Sequence, residues 1–368
     1  MSNKIQNINE NKLRYFYKAK KFSEFRQLIG HGVNLNHVYN NGNVLIMEIL
    51  KNYAKIEKSE NLKFFDELLE KGANVDSFDM NPGLLSLAIL ARCDMDYIVK
   101  LLNNNVNINS FGVYRRINVY GQNNQGNISK YTYGPPIFDA VYINKYFRKK
   151  EYFNLLLDND PDLQMCNAEG KPILCYLIEE LEILRENATY ISSLTNKLIE
   201  KGADPYQRDN LGNNALHVLS RFPKFCESHP DLFDVLCQNK TNDIDSCNID
   251  GNTPIMIAAI NNNPCAIKAL IKNGADLNKN NIVGNNPLIL AAQNKAVNSF
   301  DCLIDQNINL LYINKRNKNN LIHELIDAKI NNMYYFNKIF AKSPSLFYMK
   351  NSNNKSPIEI LKNSKYKK

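Results

Sequence analysis

Two stretches of this chain repeat one another at a fixed distance. Gly251–Ala259 reads Gly-Asn-Thr-Pro-Ile-Met-Ile-Ala-Ala and is followed by Ala269–Asn278; Gly284–Ala292 reads Gly-Asn-Asn-Pro-Leu-Ile-Leu-Ala-Ala and is followed by Cys302–Asn309. Ile255 and Leu288 are 33 residues apart, and so are Gly274 and Asn307. A period of this length describes a unit too small to bury its apolar face alone, so stacked neighbours must supply the core. Length by itself, 368 residues, suggests two or three globular domains. A stack escapes that expectation because it grows without enlarging any single core.

Each residue of the repeated block has a physical reason to be there. Thr253 and Asn286 can cap a first helix by accepting from its orphan N–H groups. Pro254 and Pro287 suit the first turn, where a missing N–H costs nothing. Ala258, Ala259, Ala291 and Ala292 are small enough for neighbouring helices to approach closely. Leu270 and Ile271 put apolar bulk on a second helix, and Gly274 can take the left-handed conformation that ends it.

The pattern recurs along nearly the whole chain. First-helix openings are Pro135-Pro-Ile137, Lys171-Pro-Ile173, Gly212-Asn-Asn-Ala-Leu-His217, Asn319-Asn-Leu-Ile-His-Glu-Leu325 and Lys355-Ser-Pro-Ile358. Second-helix ends are Leu28–Asn34, Leu68–Asn74, Leu101–Asn107 and Leu198–Asp204. Asn105 stands for glycine in the third of these, a mild change because Asn tolerates the left-handed region. On these residues the chain resembles the ankyrin-repeat family, whose motif runs roughly G-x-T-P-L-H-x-A-A and closes L-L-x-x-G-A-D. The resemblance implies an all-α, elongated ankyrin-repeat solenoid that binds proteins along a concave groove. Second-helix ends near 32, 72, 105, 160, 202, 240, 274, 307 and 343 give about nine repeats plus a terminal half-repeat from about Ser356. The expected organisation is a polar N-terminal tail over 1–10 and a solenoid over 11–368.

The largest departure from the period lies between 105 and 160. Two β-favouring runs there flank a Gly/Asn/Gln turn, which predicts an enlarged β-hairpin finger over 110–134. It carries Tyr114, Arg115, Arg116, Tyr120, Lys130, Tyr131 and Tyr133. Tyr and Arg are enriched at binding hot spots, so these residues are the first candidates for a partner contact. Phe78, Tyr206, Arg208 and Lys279, at other unit junctions, are the second set.

Enzymatic signals are weak. No GxxxxGK[ST], GxGxxG or HExxH stands in the sequence, and the eight cysteines form no CxxC pair. His217 and His323 hold the histidine place of the repeat, where the resemblance implies a structural hydrogen bond. Cys226 and His229 are close in sequence, but three residues apart in a Pro-rich loop is no recognised catalytic geometry; the alternative reading is an enzyme-like effector that uses the repeats for targeting, with a small Cys/His site in an insertion. No cofactor or metal is implied. Lys plus Arg number 45 against 37 Asp plus Glu, a mild excess distributed as on a solvated surface, so nucleic acid is not expected as a partner. No run approaches the roughly 18 apolar residues of a membrane span. Cysteines placed on predicted helices fit buried thiols of a reduced compartment. The expectation is a monomeric, cytoplasmic protein with a protein partner. The Asn- and Lys-rich composition resembles that of ankyrin proteins of intracellular bacteria and large DNA viruses, which implies a host-directed role.

Overall fold

The computed structural model of the chain describes residues 2–40, 43–52, 57–76, 83–111, 134–181, 188–238, 242–306, 308–311, 313–314, 318–330 and 332–363. Residues 112–133 and Phe78 lie outside them, and with them most of the hairpin expected over 110–134. The described chain is helical, and its strand content is a single antiparallel bridge between Ile313 and Asn320. Two compact units divide it, Met1–Ile173 and Leu174–Lys368.

The first unit consists of antiparallel helix pairs in chain order: α1 (Ser2–Lys18) with α2 (Phe22–Gly30), α3 (Leu45–Lys51) with α4 (Lys58–Glu70), α5 (Leu84–Leu90) with α6 (Met95–Asn103), and α7 (Pro136–Phe147) with α8 (Lys150–Asp158). First helices pack on first helices, α3 on α5 and α5 on α7, while α6 packs on α8. The α5 run Leu-Leu-Ser-Leu-Ala-Ile-Leu is buried on every side, because a first helix has neighbours in front, behind and beneath. The polar tail expected over 1–10 is instead the front of α1, which runs without a break to Lys18. Glu10 is buried there and meets His37 at 2.9 Å. Arg14, one turn on, reaches the buried Glu48 of α3 at 2.7 Å, and Asn43 donates to the same carboxylate at 3.0 Å. A charge removed from water is tolerated when it is paired and hydrogen-bonded.

In the second unit the pairs continue: α9 (Ile173–Leu181) and α10 (Ala188–Glu200), α14 (Pro254–Ile260) and α15 (Pro264–Lys272), α16 (Pro287–Gln293) and α17 (Val297–Ile304), α18 (Leu321–Asp327) and α19 (Met333–Lys342), then α20 (Pro357–Asn363). Between α10 and α14, α11 (Ala215–Ser220) is followed by a second helix broken in two, α12 (Pro223–Ser228) and α13 (Leu232–Leu236), at His229-Pro230. The stretch around Cys226, expected as a loop, is therefore helical up to Ser228. Pro230 accounts for the break, since it cannot donate to the preceding turn. The α11, α14, α16 and α18 helices pack one on the next. Ala258 and Ala291 are fully buried in this row. Asn286 caps α16 by accepting from Ile289 N–H at 2.9 Å. Thr253 takes the matching place before α14, but its hydroxyl has no partner among the described residues.

Backbone geometry shows why glycine recurs at two kinds of place. Gly274 ends α15 at φ +94° with open space where a Cβ would stand. Asn105 takes the same left-handed place at φ 57°. Gly251 is different. It has φ +73°, and a Cβ there would lie 2.7 Å from the backbone nitrogen of Ile282 in the next turn. Gly251→Ala therefore loses both conformational fit and close approach, while Gly274→Ala loses only the first. We expect Gly274→Ala to cost about 1 kcal/mol and Gly251→Ala about 2–3 kcal/mol in urea unfolding. Equal costs would contradict the close stacking of the turns.

Candidate functional site

The loops that join one helix pair to the next are built from two polar ladders. The first follows each second helix. Asn74, Asn107 and Asp162 each accept, through the side chain, from the backbone N–H two residues on. The residue two on then reaches the next unit. Asn36 Oδ1 accepts from Asn74 N–H at 2.7 Å, Asp76 Oδ1 from Asn107 N–H at 2.7 Å, and Asn109 Oδ1 from Asp162 N–H at 2.8 Å. The last of these links spans residues 112–133, so the register of the units is kept across the insertion. In the second unit Asp245 accepts from Asp276 N–H at 3.0 Å and Asn278 from Asn309 N–H at 2.8 Å. These backbone donors lie at junctions, where no helix supplies an acceptor, and Asn or Asp side chains replace it.

The second ladder lies at the tips of the turns that precede each first helix. Three turns share the form Asx-x-x-Gly-Asn: Asp209–Asn213, Asn248–Asn252 and Asn281–Asn285. In each, the first residue's N–H donates to the carbonyl of the fifth at 2.8–3.0 Å. Its side chain accepts from the N–H of the fifth at 2.8–3.0 Å. Neighbouring tips are then joined. Asn248 Nδ2 donates to Asn213 Oδ1 and Asn281 Nδ2 to Asn252 Oδ1, both at 3.0 Å. Ile249 N–H donates to Leu211 O at 3.0 Å and Ile282 N–H to Asp250 O at 3.3 Å.

With the first and fifth residues of these turns bonded within the turn and to the neighbouring tips, aliphatic side chains stand outside beside the exposed Asn210 and Asp250. Leu211 is 55% exposed, Ile249 62%, Ile282 65% and Val283 63%. Single exposed aliphatics are ordinary, but a row joined backbone to backbone is a surface feature. The corresponding tips at 167–171 and 351–355 carry Ala168, Glu169, Ser352 and Asn353 instead. Among the described residues the joined row of aliphatics runs over three successive tips.

The residues expected at these junctions are used differently. Arg208 donates to Cys247 O of the next loop at 3.2 Å, and Lys279 donates to Asp245 O of the preceding one at 3.3 Å. Both cations staple adjacent loops. Tyr206 is half-buried, and its N–H is held by Asp204 at 2.8 Å. Tyr114, Arg115, Arg116, Tyr120, Lys130, Tyr131, Tyr133 and Phe78 lie outside the described residues. The ridge itself was missed by a search for Tyr and Arg. Its signal was an aliphatic residue in the two places before the glycine of each tip, where turns ordinarily carry polar groups.

The two motif histidines tie helices to the next turn. His217 Nε2 bonds Asn252 O at 3.0 Å, while Nδ1 lies 2.7 Å from Asn214 Oδ1 and 3.3 Å from Asn214 N. His323 repeats the arrangement on Lys355 O at 2.9 Å and Asn320 N–H at 3.3 Å. Burial lowers the pKa of His217 to about 4, because a charged imidazole would be desolvated there. Cys226 and His229 do not form a catalytic pair. The Cys226 thiol donates to Leu219 O at 3.2 Å, while His229 Nδ1 bonds Phe225 O at 2.9 Å. Burial pushes the Cys226 thiol up to about 12, the opposite of what a thiolate nucleophile needs. All eight cysteines are free, no group of His, Cys, Asp and Glu among the described residues could hold a metal ion, and no described helix is long and apolar enough to cross a membrane.

With caps, stacked tips and paired helices in place, the comparison with known proteins is direct. Residues 186–281 and 224–317 each match the family model described as ankyrin repeats (3 copies). Residues 186–317 carry ankyrin repeats. An IkB-like protein of African swine fever virus is 30% identical over 145 residues, which are 37% of this chain and 56% of that protein. An ankyrin repeat protein of Rickettsia felis is 32% identical over 107 residues, 29% of this chain and 44% of its own length. The chain thus spans about half the length of the curated relatives it matches. The ankyrin repeat domain of Bcl-3, described as a member of the IkappaB family, superposes with a TM-score of 0.49 at 19% identity, over 60% of this chain and 92% of that one.

The His217 geometry makes stability depend on pH with a definite sign. The folded state holds this group neutral down to about pH 4, whereas the unfolded chain protonates it near 6.5. Its contribution is complete above pH 6.5 and is lost as pH falls toward 4, by about 2–3 kcal/mol. Urea unfolding at pH 7 and 4.5 is expected to show that much more loss in the wild type than in His217→Gln. Parallel losses in the two proteins would contradict the assignment.

Proposed function

We propose that this chain is a non-catalytic scaffold that binds a protein through the tips of its ankyrin turns. The observation that carries the reading is the aliphatic ridge of Leu211, Ile249, Ile282 and Val283. Its backbone groups are satisfied within the stack, so what it offers a partner is apolar area on a rigid frame. Burying such side chains is worth about 1.5–3 kcal/mol each at full burial, enough for a few of them to dominate an interface. The partner presents an apolar segment that lies across three successive tips.

The finer organisation belongs to the same reading: about nine ankyrin units and a terminal half-unit, in a monomeric chain that works in a reducing, cytoplasmic compartment. Support comes from the succession of helix pairs from α1 to α20 and from eight free thiols. A host-directed role rests on relatives drawn from a virus and a Rickettsia. The 110–134 segment, with Tyr114, Arg115, Arg116, Tyr120, Lys130, Tyr131 and Tyr133, is a second proposed contact, and Phe78 a third. Nucleic acid and cofactors have no part in this reading. The competing reading is an enzyme-like effector with a small Cys/His site in an insertion; Cys226 and His229, the Cys and His closest in sequence, are buried and separately bonded and lend it no support.

The test is affinity capture from a host lysate followed by competition. Changing Leu211, Ile249, Ile282 and Val283 together to Ser is expected to leave thermal stability nearly unchanged, because these side chains are already in water, and to weaken partner binding by about 2 kcal/mol or more. Replacing 113–133 by a short Gly/Asn turn separates the second contact from the first. Undiminished binding by the Ser variant would contradict the ridge as the site.

A further inference from the structure

The net positive charge of this chain is gathered at one end. Residues 311–368 hold twelve Lys and Arg against three Asp and Glu, while residues 1–310 are balanced, 33 against 34. A one-sided excess of this size marks the part of a chain that meets an anionic partner. The three carboxylates of the segment are committed to the fold. Glu324 accepts from Asn314 Nδ2 at 3.0 Å, Asp327 from Asn319 Nδ2 at 2.8 Å, and Glu359 from Ser356 N–H at 2.8 Å. Lys338 and Lys342 pair backward, with Asp301 and Asp305 of α17, both at 3.2 Å. Lys318, Lys350 and Lys355 are exposed and form no ion pair among the described residues.

These three cations stand at turn tips in line with the ridge. The turn 314–319 closes as Asn314 N–H donates to Asn319 O at 2.8 Å, and 351–355 closes as Asn351 N–H donates to Lys355 O at 3.0 Å. Asn351 Nδ2 donates to Asn319 Oδ1 at 3.0 Å, the same link that joins the ridge tips. The junction bond from Asn309 N–H to Asn278 sets the 314–319 turn directly after 281–285. Lys318, at φ 56°, takes the left-handed place before the closing residue that Gly212, Gly251 and Gly284 hold in the ridge. The row of tips therefore changes chemistry along its length. It is aliphatic at Leu211, Ile249, Ile282 and Val283, then cationic at Lys318, Lys350 and Lys355.

We infer that the partner segment received by the ridge is itself two-ended, with aliphatic side chains at one end and a cluster of Asp and Glu at the other, and that its acidic end lies over Lys318, Lys350 and Lys355. This rests on the ridge as the docking site proposed above. Packed units stand about 8–10 Å apart, so the four steps from 209–213 to 351–355 span about 32–40 Å, the reach of about ten to twelve extended residues. A nucleic acid would match the cations and leave the aliphatics uncovered. A lipid surface is the same at every point, whereas this row separates its two chemistries along one line.

Selection of random peptides of about twelve residues on the full chain, followed by fluorescence anisotropy of the enriched ones, tests this. Enriched sequences are expected to carry aliphatics in one half and an excess of Asp and Glu in the other, in a constant order. Affinity is expected to fall about tenfold between about 0.05 and 0.5 M salt, and about five- to tenfold at low salt in Lys318→Asn/Lys350→Gln/Lys355→Gln. Asn suits the left-handed place at 318, and the thermal midpoint verifies that the variant folds. The variant Leu211→Ser/Ile249→Ser/Ile282→Ser/Val283→Ser separates the two claims. Wild-type affinity in that variant, with loss in the Lys variant, overturns the ridge reading. Loss in the Ser variant with wild-type affinity in the Lys variant, or enriched peptides without an acidic end, overturns the two-ended partner and leaves the ridge standing. Lys-dependent binding of a thymidine oligonucleotide or of phosphatidylserine vesicles that is tighter than that of any enriched peptide assigns the cations to a nucleic acid or a lipid surface, and also overturns it. Enrichment of no peptide overturns both.

Discussion

Side-chain acceptors that reach across the junction between units hold this protein in register. Helix packing alone would let a stack of short apolar helices slide, since alanine and leucine contacts are nearly equivalent at neighbouring positions. The links from Asn36 to Asn74, Asp76 to Asn107 and Asn109 to Asp162 remove that freedom. Each satisfies a backbone donor that would otherwise go unmade at the edge of the core, and an unmet donor there costs about 1–3 kcal/mol. The abundance of asparagine is therefore structural as well as compositional. Asn both accepts from the backbone and tolerates the tight geometry the junctions need.

The surface chemistry follows from the same constraint. Asn213, Asn248, Asn252 and Asn281 bond one another across the tips, and Leu211, Ile249, Ile282 and Val283 stand exposed on the outside beside Asn210 and Asp250. Arg208 and Lys279 are drawn into the junctions in the same way. The groups available to a partner are those the ladder does not consume.

Much of this was legible in the sequence because the signals were local. Pro at the first helical turn, alanines on the first helix and glycine or Asn105 at second-helix ends each act within a few residues, and they place the helices correctly. The histidine role at 217 and 323 was legible from its motif position. The N-terminal boundary was misjudged because α1 is polar: its interaction with the rest of the fold runs through Glu10 and Arg14, and polar residues forming buried ion pairs look like a tail. The break in the second helix at His229-Pro230 was hidden by reading the proline as a loop signal for its whole surroundings. The ridge could not be ranked because its significance depends on which tips become neighbours. Each of its aliphatics, taken alone, is an unremarkable turn residue.

The central claim is that adjacent turns are coupled directly, neighbour to neighbour, through their asparagine side chains. A double-mutant cycle on Asn213 and Asn248, followed by urea unfolding, measures it most directly, with Asn213 and Asn281 as the non-adjacent control pair. Asn213 and Asn248 bond at 3.0 Å, so a coupling of about 0.5–3 kcal/mol is expected for them, and within about 0.5 kcal/mol of zero for the control. Additive effects in the adjacent pair, or equal coupling in both pairs, would contradict the account.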